Sequence, residues 1–356
     1  MNNPIKSGRL RVSLLSAVAV GLAIASMVAV SGVATAASSP RVVKATRPLE
    51  KGLKVFVIPK NLGNPYFTTS DSVKTGGALF ALKQLREVGT ETSGTSATPS
   101  SQIPAIEAAI TKGANILIIS ATDPAALCPT LKGAMARGVT VVTYDSDAPA
   151  CRDLFALQAT SQGIGDIEVD IIAKEMGDAG QLAVVSAAPT ATNQNAWIVY
   201  MKQELKKYPK IKLVKIVYGM DDTATSTTVT EGLLTAYPNL KGIISPTSVG
   251  LPAVAAVLDT AKYRGVVQVT GLATPLAMKK YVLDGTCPEF ALWNPADLGY
   301  LAAYAAVNYA SGAISNAPGQ SFVGGKLGKY TVGAKDTILL GLPFVFNKSN
   351  ISQFHF

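Results

Sequence analysis

The sequence alternates short apolar runs with longer stretches of helical character, and this alternation restricts the fold more than any other feature. Leu53–Pro59, Ile116–Ser120 and Val139–Thr143 are runs of the kind that form strands buried on both faces of a sheet. Helical stretches separate them, and the unit recurs about every 30 residues, the rhythm of a parallel sheet covered by helices. A second series starts near Gln181. The sequence therefore predicts an α/β fold with two doubly wound parallel-sheet lobes.

Each lobe is expected to be built from two separate segments of the chain. A length of 356 residues suits two lobes better than one. Three segments between predicted elements are candidate hinge crossovers: Leu157–Ser161, Trp293–Asp297 and Leu340–Val345. We therefore predict an N-terminal lobe of 37–157 plus about 296–340 and a C-terminal lobe of 158–295 plus about 341–356. In the N-terminal lobe we expect one continuous helix from Pro65 to about Arg86.

The N-terminus has the features of a secretion signal. Lys6, Arg9 and Arg11 precede an apolar stretch from about Val12 to Ala34, and residues 34–36 supply a small-x-small cleavage pattern. An uncleaved membrane anchor is the alternative, because the apolar stretch is long for a signal. We predict that residues 1–36 are removed and that the protein is exported to the periplasm or cell envelope. The net charge of +9 is not gathered into a basic, aromatic-rich cluster, so no nucleic-acid partner is expected.

Three cysteines remain to be placed in an oxidising compartment, where pairing is the default. Cys128 opens a predicted helix after one strand, and Cys151 lies in the loop after the next strand. Adjacent parallel strands place these two positions at the same edge of a sheet, so we predict a Cys128–Cys151 disulfide. Cys287 is left over and is expected to be a buried small hydrophobe. With one histidine and no Cys-x-x-Cys pair, no metal site is predicted.

Polar acceptors follow the buried strand at Val139–Thr143. Asp145, Ser146 and Asp147 come where this strand should emerge from the sheet. In open parallel sheets, ligands bind just outside the carboxyl ends of the strands. Two carboxylates and a hydroxyl at such a point would suit a hydroxyl-rich ligand.

Six short motifs occur in the order found in one protein family. They are Ile58-Pro59-Lys60, Asn64-Pro65-Tyr66-Phe67, Asp145-Ser146-Asp147, Thr192-Asn193-Gln194-Asn195, Ser245 to Gly250 and Trp293 to Tyr300. Over about Leu53 to Phe356 the chain resembles the periplasmic sugar-binding proteins of ABC importers, the ribose-binding superfamily. The resemblance implies a type I periplasmic binding protein, a monomer whose lobes close on a monosaccharide. It also implies a membrane permease, driven by its own ATPase, as the partner of the closed form.

A sugar presents hydroxyl groups and apolar C–H faces, which carboxylates, amides, an ammonium group and aromatic rings would bind. The candidate ligand-binding residues are Lys60, Asn64, Phe67, Asp145, Asp147, Asn193, Gln194, Pro246, Ser248, Trp293 and Asn294. We interpret Trp197 as a packing residue. The adjacent acids Asp221 and Asp222 are interpreted as capping a helix start.

Within the superfamily the chain is similar to rhamnose-binding proteins and to their relatives that bind autoinducer-2. The binding positions of the autoinducer branch fall on Lys60, Asp145, Asn193, Gln194, Pro246 and Ser248. That branch has an acid at position 193 and a small apolar residue at position 248, so this chain departs from it twice. Loss of the acid argues against autoinducer-2, and a deoxyhexose such as rhamnose is the favoured ligand.

The sequence argues against an enzyme and needs no cofactor. His355 is the single histidine and stands next to the C-terminus, so Ser-His or Cys-His catalysis is not expected. Gly-x-Ser-x-Gly is absent, and the glycine-rich segment 324–329 lacks P-loop spacing. Two further hypotheses remain: a sensory module that presents ligand to a membrane receptor, and a glycosidase using Asp145 and Asp222.

Overall fold

A computed structural model describes residues 47–356, so the predicted signal peptide at 1–36 lies outside the described residues. The strands are β1 Lys54–Ile58, β2 Val88–Glu91, β3 Ile116–Ile119, β4 Thr140–Tyr144, β5 Leu154–Leu157, β6 Gly180–Ser186, β7 Ile211–Tyr218, β8 Leu240–Ser245, β9 Gln268–Gly271, β10 Glu289–Leu292, β11 Ser321–Val323, β12 Lys329–Thr331, β13 Thr337–Leu339 and β14 Phe344–Asn347. The helices are α1 Pro65–Asp71, α2 Ala78–Leu85, α3 Pro99–Thr111, α4 Pro124–Met135, α5 Ser161–Met176, α6 Thr192–Glu204, α7 Thr223–Ala236, α8 Gly250–Leu258, α9 Pro275–Leu283 and α10 Pro295–Ala310.

The first lobe is built on a six-stranded parallel sheet in the order β13-β5-β4-β3-β1-β2. Its central strand β3 is apolar throughout because helices cover both faces: Ile116 and Ile118 join one core, and Leu117 and Ile119 the other. Helices α1, α2 and α10 lie on the first face, and α3 and α4 on the second.

The second lobe is built on a four-stranded parallel sheet in the order β7-β6-β8-β9. Helix α5 packs on β8 and β9 with α6 against it, while α7 and α8 contact each other and β6. The antiparallel pair β10 and β14 extends this lobe, because Ala291 forms a bridge to Leu272 just after β9. The predicted α/β fold with two doubly wound lobes is therefore confirmed.

The chain crosses between the two sheets after β5, after β10 and between β13 and β14, at the three places predicted as hinges. Helix α10 follows β10 of the second lobe but packs on α1, α2 and strands of the first. Its Gly299 allows close approach to α1, because a Cβ there would lie 1.9 Å from the Ser70 carbonyl oxygen. The lobe boundaries proposed from the sequence stay predictions.

Two parts of the first lobe differ from expectation. The continuous helix predicted from Pro65 to Arg86 is interrupted, because the chain turns between α1 and α2 and Gly76 adopts a φ of +80°. Strand β5 was not predicted and ends where the predicted hinge at Leu157–Ser161 begins. The short strands β11 to β13, and β14 in the second lobe, were not predicted either. In the described part of the chain, no helix is both long and apolar enough to traverse a bilayer.

Candidate functional site

Loops from the carboxyl ends of both sheets line a cavity between the two lobes. The cavity is lined by Lys60, Asn64, Tyr66, Phe67, Asp145, Asn193, Gln194, Trp197, Asp221, Pro246, Thr247, Ser248, Leu272, Leu292 and Trp293. Nine of the eleven residues proposed from the sequence are in this set.

Lys60 follows β1 and is 4% exposed, so its ammonium group is held inside the cavity. The Nζ atom lies 3.4 Å from Asp145 Oδ2 and 3.5 Å from Asn193 Oδ1. Asp145 belongs to the first lobe and Asn193 to the second. The charge of Lys60 is therefore shared between the two walls of the cavity.

Asp145 follows β4, where the backbone takes a left-handed φ of +58° that residues other than glycine rarely adopt. Its carboxylate is 5% exposed and accepts hydrogen bonds on both oxygens. Ser120 Oγ donates to Oδ2 at 2.7 Å, and Asn193 Nδ2 donates to Oδ1 at 3.1 Å. A strained backbone fixed by two donors presents the carboxylate in one orientation.

Aromatic side chains form the apolar wall. Asn64 caps α1 by accepting from the Tyr66 amide at 3.0 Å, which places Tyr66 and Phe67 in the first turn, against the cavity. Trp293 Nε1 donates to Tyr66 Oη at 3.0 Å, and the rings of Trp293 and Trp197 meet edge to face at 6.0 Å. Burial raises the pKa of Tyr66 well above its ordinary value, and the charge of Asp145 raises it further. The phenol therefore keeps its proton.

The amide groups of the second lobe lie in the first turn of α6. Gln194 Oε1 accepts from Ser186 Oγ at 2.6 Å and from the Ala187 amide at 2.7 Å. These bonds orient the side chain, so its NH₂ group remains as the donor toward the cavity. Asn193 reaches across to Asp145 and accepts from Lys60.

Further contacts tie the start of α6 to the first lobe. Thr192 Oγ1 donates to the Asp147 carbonyl at 3.1 Å and lies 3.2 Å from Ser146 Oγ. Thr190 Oγ1 donates to the Thr122 carbonyl at 3.3 Å. These bonds close the cleft beside the cavity.

Asp221 and Thr247 complete the second wall. The Thr247 hydroxyl donates to Asp221 Oδ1, and both residues lie at carboxyl ends of strands, after β7 and β8 respectively. Burial raises the pKa of Asp221, Lys60 and the Thr247 hydroxyl lower it, and Asp145 raises it. Pro246 and Ser248 flank Thr247 on the same loop.

Two of the proposed residues do not line the cavity. Asp147 is bound by Arg152, whose Nε lies 2.7 Å from Oδ1, and it also accepts from Thr143 Oγ1 at 2.6 Å. It orders the loop behind Asp145. Asn294 caps α10 by accepting from the amides of Ala296 and Asp297.

The cavity includes six residues outside the proposed set. Tyr66 and Trp197 are aromatic, Leu272 and Leu292 apolar, and Asp221 and Thr247 polar. Tyr66 could have been found from its place beside Phe67. The position after a strand marks Asp221 and Asp222 together, but it does not show which of the two acids enters the cavity. The leucines carry no signal that separates them from core residues.

The structure joins Cys128 and Cys151, the predicted pair, with Cα atoms 5.3 Å apart. This bond ties the loop after β4 to α4. Cys287 is free and buried, as expected. Within residues 47–356, no cluster of three or more His, Cys, Asp or Glu side chains could hold a metal ion.

The arrangement offers two carboxylates, one ammonium group, three amides and several aromatic rings, groups of the kind that bind polyhydroxylated molecules. It does not offer the acid pair of the glycosidase hypothesis. Asp222 is exposed and caps α7 by accepting from the Thr225 amide at 2.7 Å, which lowers the pKa of its carboxyl.

Comparison with known proteins agrees with this chemistry. The family described as periplasmic binding protein domain matches residues 55–314. A solute-binding protein of an ABC transporter from Clostridium phytofermentas, solved with bound L-rhamnose, is 37% identical with a TM-score of 0.82, covering 85% of this chain and 98% of that one. A sugar ABC transporter protein from Actinomyces odontolyticus is 42% identical, with a TM-score of 0.66 and the same coverages.

A third structure is LsrB from Clostridium saccharobutylicum in complex with AI-2. It is 27% identical with a TM-score of 0.79, and the match covers 85% of this chain and all of that one. The Clostridium phytofermentas relative is a solute-binding protein of an ABC transporter, and solute-binding proteins are not enzymes. The chain belongs to the periplasmic binding protein family, among the sugar-binding solute-binding proteins of ABC transporters.

Proposed function

We propose that this protein is exported and binds a monosaccharide, most favourably L-rhamnose, between its two lobes for delivery to an ABC importer. The observation that carries the proposal is the cavity itself. Acceptors and donors from both lobes meet there around Lys60, and aromatic rings form the apolar wall. A ligand held by both walls favours the closed arrangement, because an open cleft would offer it only one wall.

The closed cleft explains how ligand binding would be reported to a partner. The chain crosses between the sheets at three places, which can act as hinges. When the lobes close, the loops around the cavity mouth on both lobes come together into one surface. A permease that binds this combined surface would distinguish the loaded form from the empty one. Export and the permease with its ATPase are inferred from the family and the N-terminal sequence.

The choice of a deoxyhexose has two supports. The relative with bound L-rhamnose is 37% identical, whereas the relative with AI-2 is 27% identical. The cavity also combines polar groups with Leu272 and Leu292, and apolar side chains of this kind suit the methyl group of a 6-deoxy sugar. Asn193 stands where the autoinducer branch has an acid, which removes a charged acceptor.

Autoinducer-2 is the second candidate ligand. Lys60, Asp145, Gln194 and Pro246 match the autoinducer branch and all four line the cavity. Only positions 193 and 248 separate the two ligand hypotheses among the matched residues, so a direct comparison of ligands is needed.

A thermal titration of the mature protein tests the proposal. L-rhamnose, L-mannose, D-ribose and the autoinducer-2 precursor are added in turn. At about 100 times the dissociation constant, the bound ligand should stabilise the protein by roughly 2.7 kcal/mol, a shift that is easily measured. We expect the largest shift with L-rhamnose.

Asp145→Asn should strongly reduce this shift, because the neutral amide cannot replace the carboxylate that receives Ser120 and Asn193. Asp123→Asn is the matched control, since Asp123 caps α4 and asparagine caps equally well. A thermal shift with the autoinducer precursor alone would identify autoinducer-2, and not L-rhamnose, as the ligand. No shift with any of these compounds would contradict the sugar-binding proposal.

A further inference from the structure

The loop that carries Asp221 has an unusual backbone. After β7, Met220 and Asp221 take left-handed φ angles of +58° and +48° in succession. Residues other than glycine seldom adopt this region, and such strain persists where surrounding bonds enforce it. The amides of Gly219 and Met220 donate to the carbonyls of Ser186 and Ala187 at 2.8 and 2.7 Å, which pins the loop to the end of β6.

This backbone brings the Asp221 carboxylate to the cavity. The Thr247 hydroxyl donates to Oδ1, and among residues 47–356 no other donor reaches the carboxylate. Its remaining lone pairs are thus free to accept from a ligand. Asp222, the next residue, faces away and caps α7.

The second wall would otherwise lack a negative charge. Asn193, Gln194 and Thr247 are neutral, whereas Asp145 supplies a carboxylate from the first lobe. By formal charge, the Lys60 ammonium group and the carboxylates of Asp145 and Asp221 leave the site with one net negative charge. A site of this charge attracts hydroxyl donors and repels anions.

We propose that Asp221 is the hydroxyl-accepting carboxylate of the second lobe and that it makes the site selective for uncharged sugars over sugar acids. The inference rests on the proposed sugar-binding function and names the class of sugar. Asp221 supplies the second acid of the pocket, because position 193 carries asparagine and not an acid. The ligand is then held by one carboxylate from each lobe.

Calorimetric titration of the mature protein with L-rhamnose tests the contact. Asp221→Asn keeps the size of the side chain and an oxygen that accepts from Thr247, but it loses the charge. We expect its affinity to fall roughly 10- to 100-fold, the range for hydrogen bonds to a charged group. Asp222→Asn is the matched control, because asparagine still caps α7, and its affinity should stay within about twofold.

The 2-, 3- and 4-deoxy analogues of L-rhamnose distinguish a direct contact of Asp221 with the sugar from a merely structural role. The analogue that lacks the hydroxyl bound by Asp221 should bind wild type and Asp221→Asn nearly equally. For the other two analogues, Asp221→Asn should lose as much affinity relative to wild type as it does for L-rhamnose. The same loss with all three analogues, or no loss with L-rhamnose, would overturn the contact. Failure of wild type to bind any of these sugars would overturn the proposed function as well.

A second comparison of ligands tests the selectivity for uncharged sugars over sugar acids. L-mannose and L-mannuronate share one ring configuration and differ in a neutral or an anionic group at C6. Wild type should bind L-mannose roughly tenfold or more tightly than L-mannuronate, and Asp221→Asn should narrow this ratio. Equal or tighter binding of the acid by wild type would overturn the selectivity.

Discussion

In each lobe, a strand is followed by a pair of acidic residues, and the two members of each pair have different roles. Asp145 follows β4 and Asp221 follows β7, and both take a left-handed backbone and line the cavity. Their partners, Asp147 and Asp222, serve the fold: the first binds Arg152 and the second caps α7. The same division occurs in both lobes although the spacing within the pairs differs.

The comparison teaches that backbone conformation, and not the acidic residue itself, decides which carboxylate reaches the cavity. The left-handed turn directs one acid into the cavity. The following acid finds donors in its own loop or helix start. The lobes differ in how firmly the acid is held: Asp145 receives Ser120 and Asn193, while Asp221 receives Thr247.

Removing both cavity acids should have the largest effect. If each carboxylate accepts from a different hydroxyl, the losses of Asp145→Asn and Asp221→Asn multiply, and the double variant binds L-rhamnose roughly 10³-fold more weakly than wild type. Calorimetric titration of the four proteins measures this. A double variant no weaker than Asp145→Asn alone would break the comparison, since Asp221 would then add nothing.

Asp147→Asn should affect the stability of the fold more than binding. The Arg152 side chain is 3% exposed and would lose its nearest charge partner. We expect the free energy of unfolding to fall by about 2 kcal/mol, with a Tm decrease of about 5 °C, because a buried charge is left poorly paired. Affinity for sugar should change less than threefold.

The control for that substitution is Asp336→Asn, at the more exposed and more distant partner of Arg152. It should alter Tm by much less. If Asp147→Asn weakened sugar binding as strongly as Asp145→Asn, the division of roles within the first pair would be wrong.

Glu175 lies outside the two acidic loops and shows how a buried carboxyl behaves when no donor binds it. Glu175 on α5 has no hydrogen-bond partner on either oxygen within residues 47–356, and burial, with the charge of Glu289, raises its pKa from 4.5 to about 8. The folded state therefore holds this proton between pH 4.5 and 8 while the unfolded state releases it, so stability falls as the pH rises through this interval.

Glu175→Gln removes this proton linkage. Relative to wild type, its Tm should rise between pH 4.5 and 8, by the equivalent of at least about 1.4 kcal/mol, which corresponds to one pKa unit. Thermal melts across this range measure it, with the same change at exposed Glu231 as the control. Parallel Tm curves for wild type and Glu175→Gln would contradict the prediction.

Asp222→Ala should have the smallest effect. It removes the bond to the Thr225 amide at the start of α7 and should lower the free energy of unfolding by about 1 kcal/mol. Sugar affinity should stay within about twofold. A tenfold loss of affinity would show that the second acid of this pair also serves the ligand.

Much of this architecture could be predicted from the sequence because it depends on local patterns. Runs such as Ile116–Ile119 identify buried parallel strands, and polar residues at their ends, such as Lys60 and Asp145, identify the cavity. The three-residue strands β11 to β13 were missed because so short a segment carries no clear periodicity. The place of β13 depends on pairing with β5, far earlier in the chain, whereas β11 and β12 pair with each other.

The two proposed residues that lie outside the cavity, Asp147 and Asn294, are held by other groups of the fold. Asp147 has the residue type for a sugar ligand, but Arg152, five positions later, captures it. Asn294 before Pro295 is a capping signal that was available in the sequence. Asp221 and Asp222 could not be told apart, because the left-handed turn that separates them is a tertiary feature held by the end of β6.

The central claim is that one carboxylate from each lobe holds the sugar. A crystal structure of the mature protein with L-rhamnose tests it most directly. We predict hydroxyl oxygens of one sugar within hydrogen-bonding distance of both Asp145 and Asp221, with no sugar contact to Asp147 or Asp222. A sugar that contacts Asp145 but lies beyond hydrogen-bonding distance of Asp221, or one bound outside this cavity, would contradict the account.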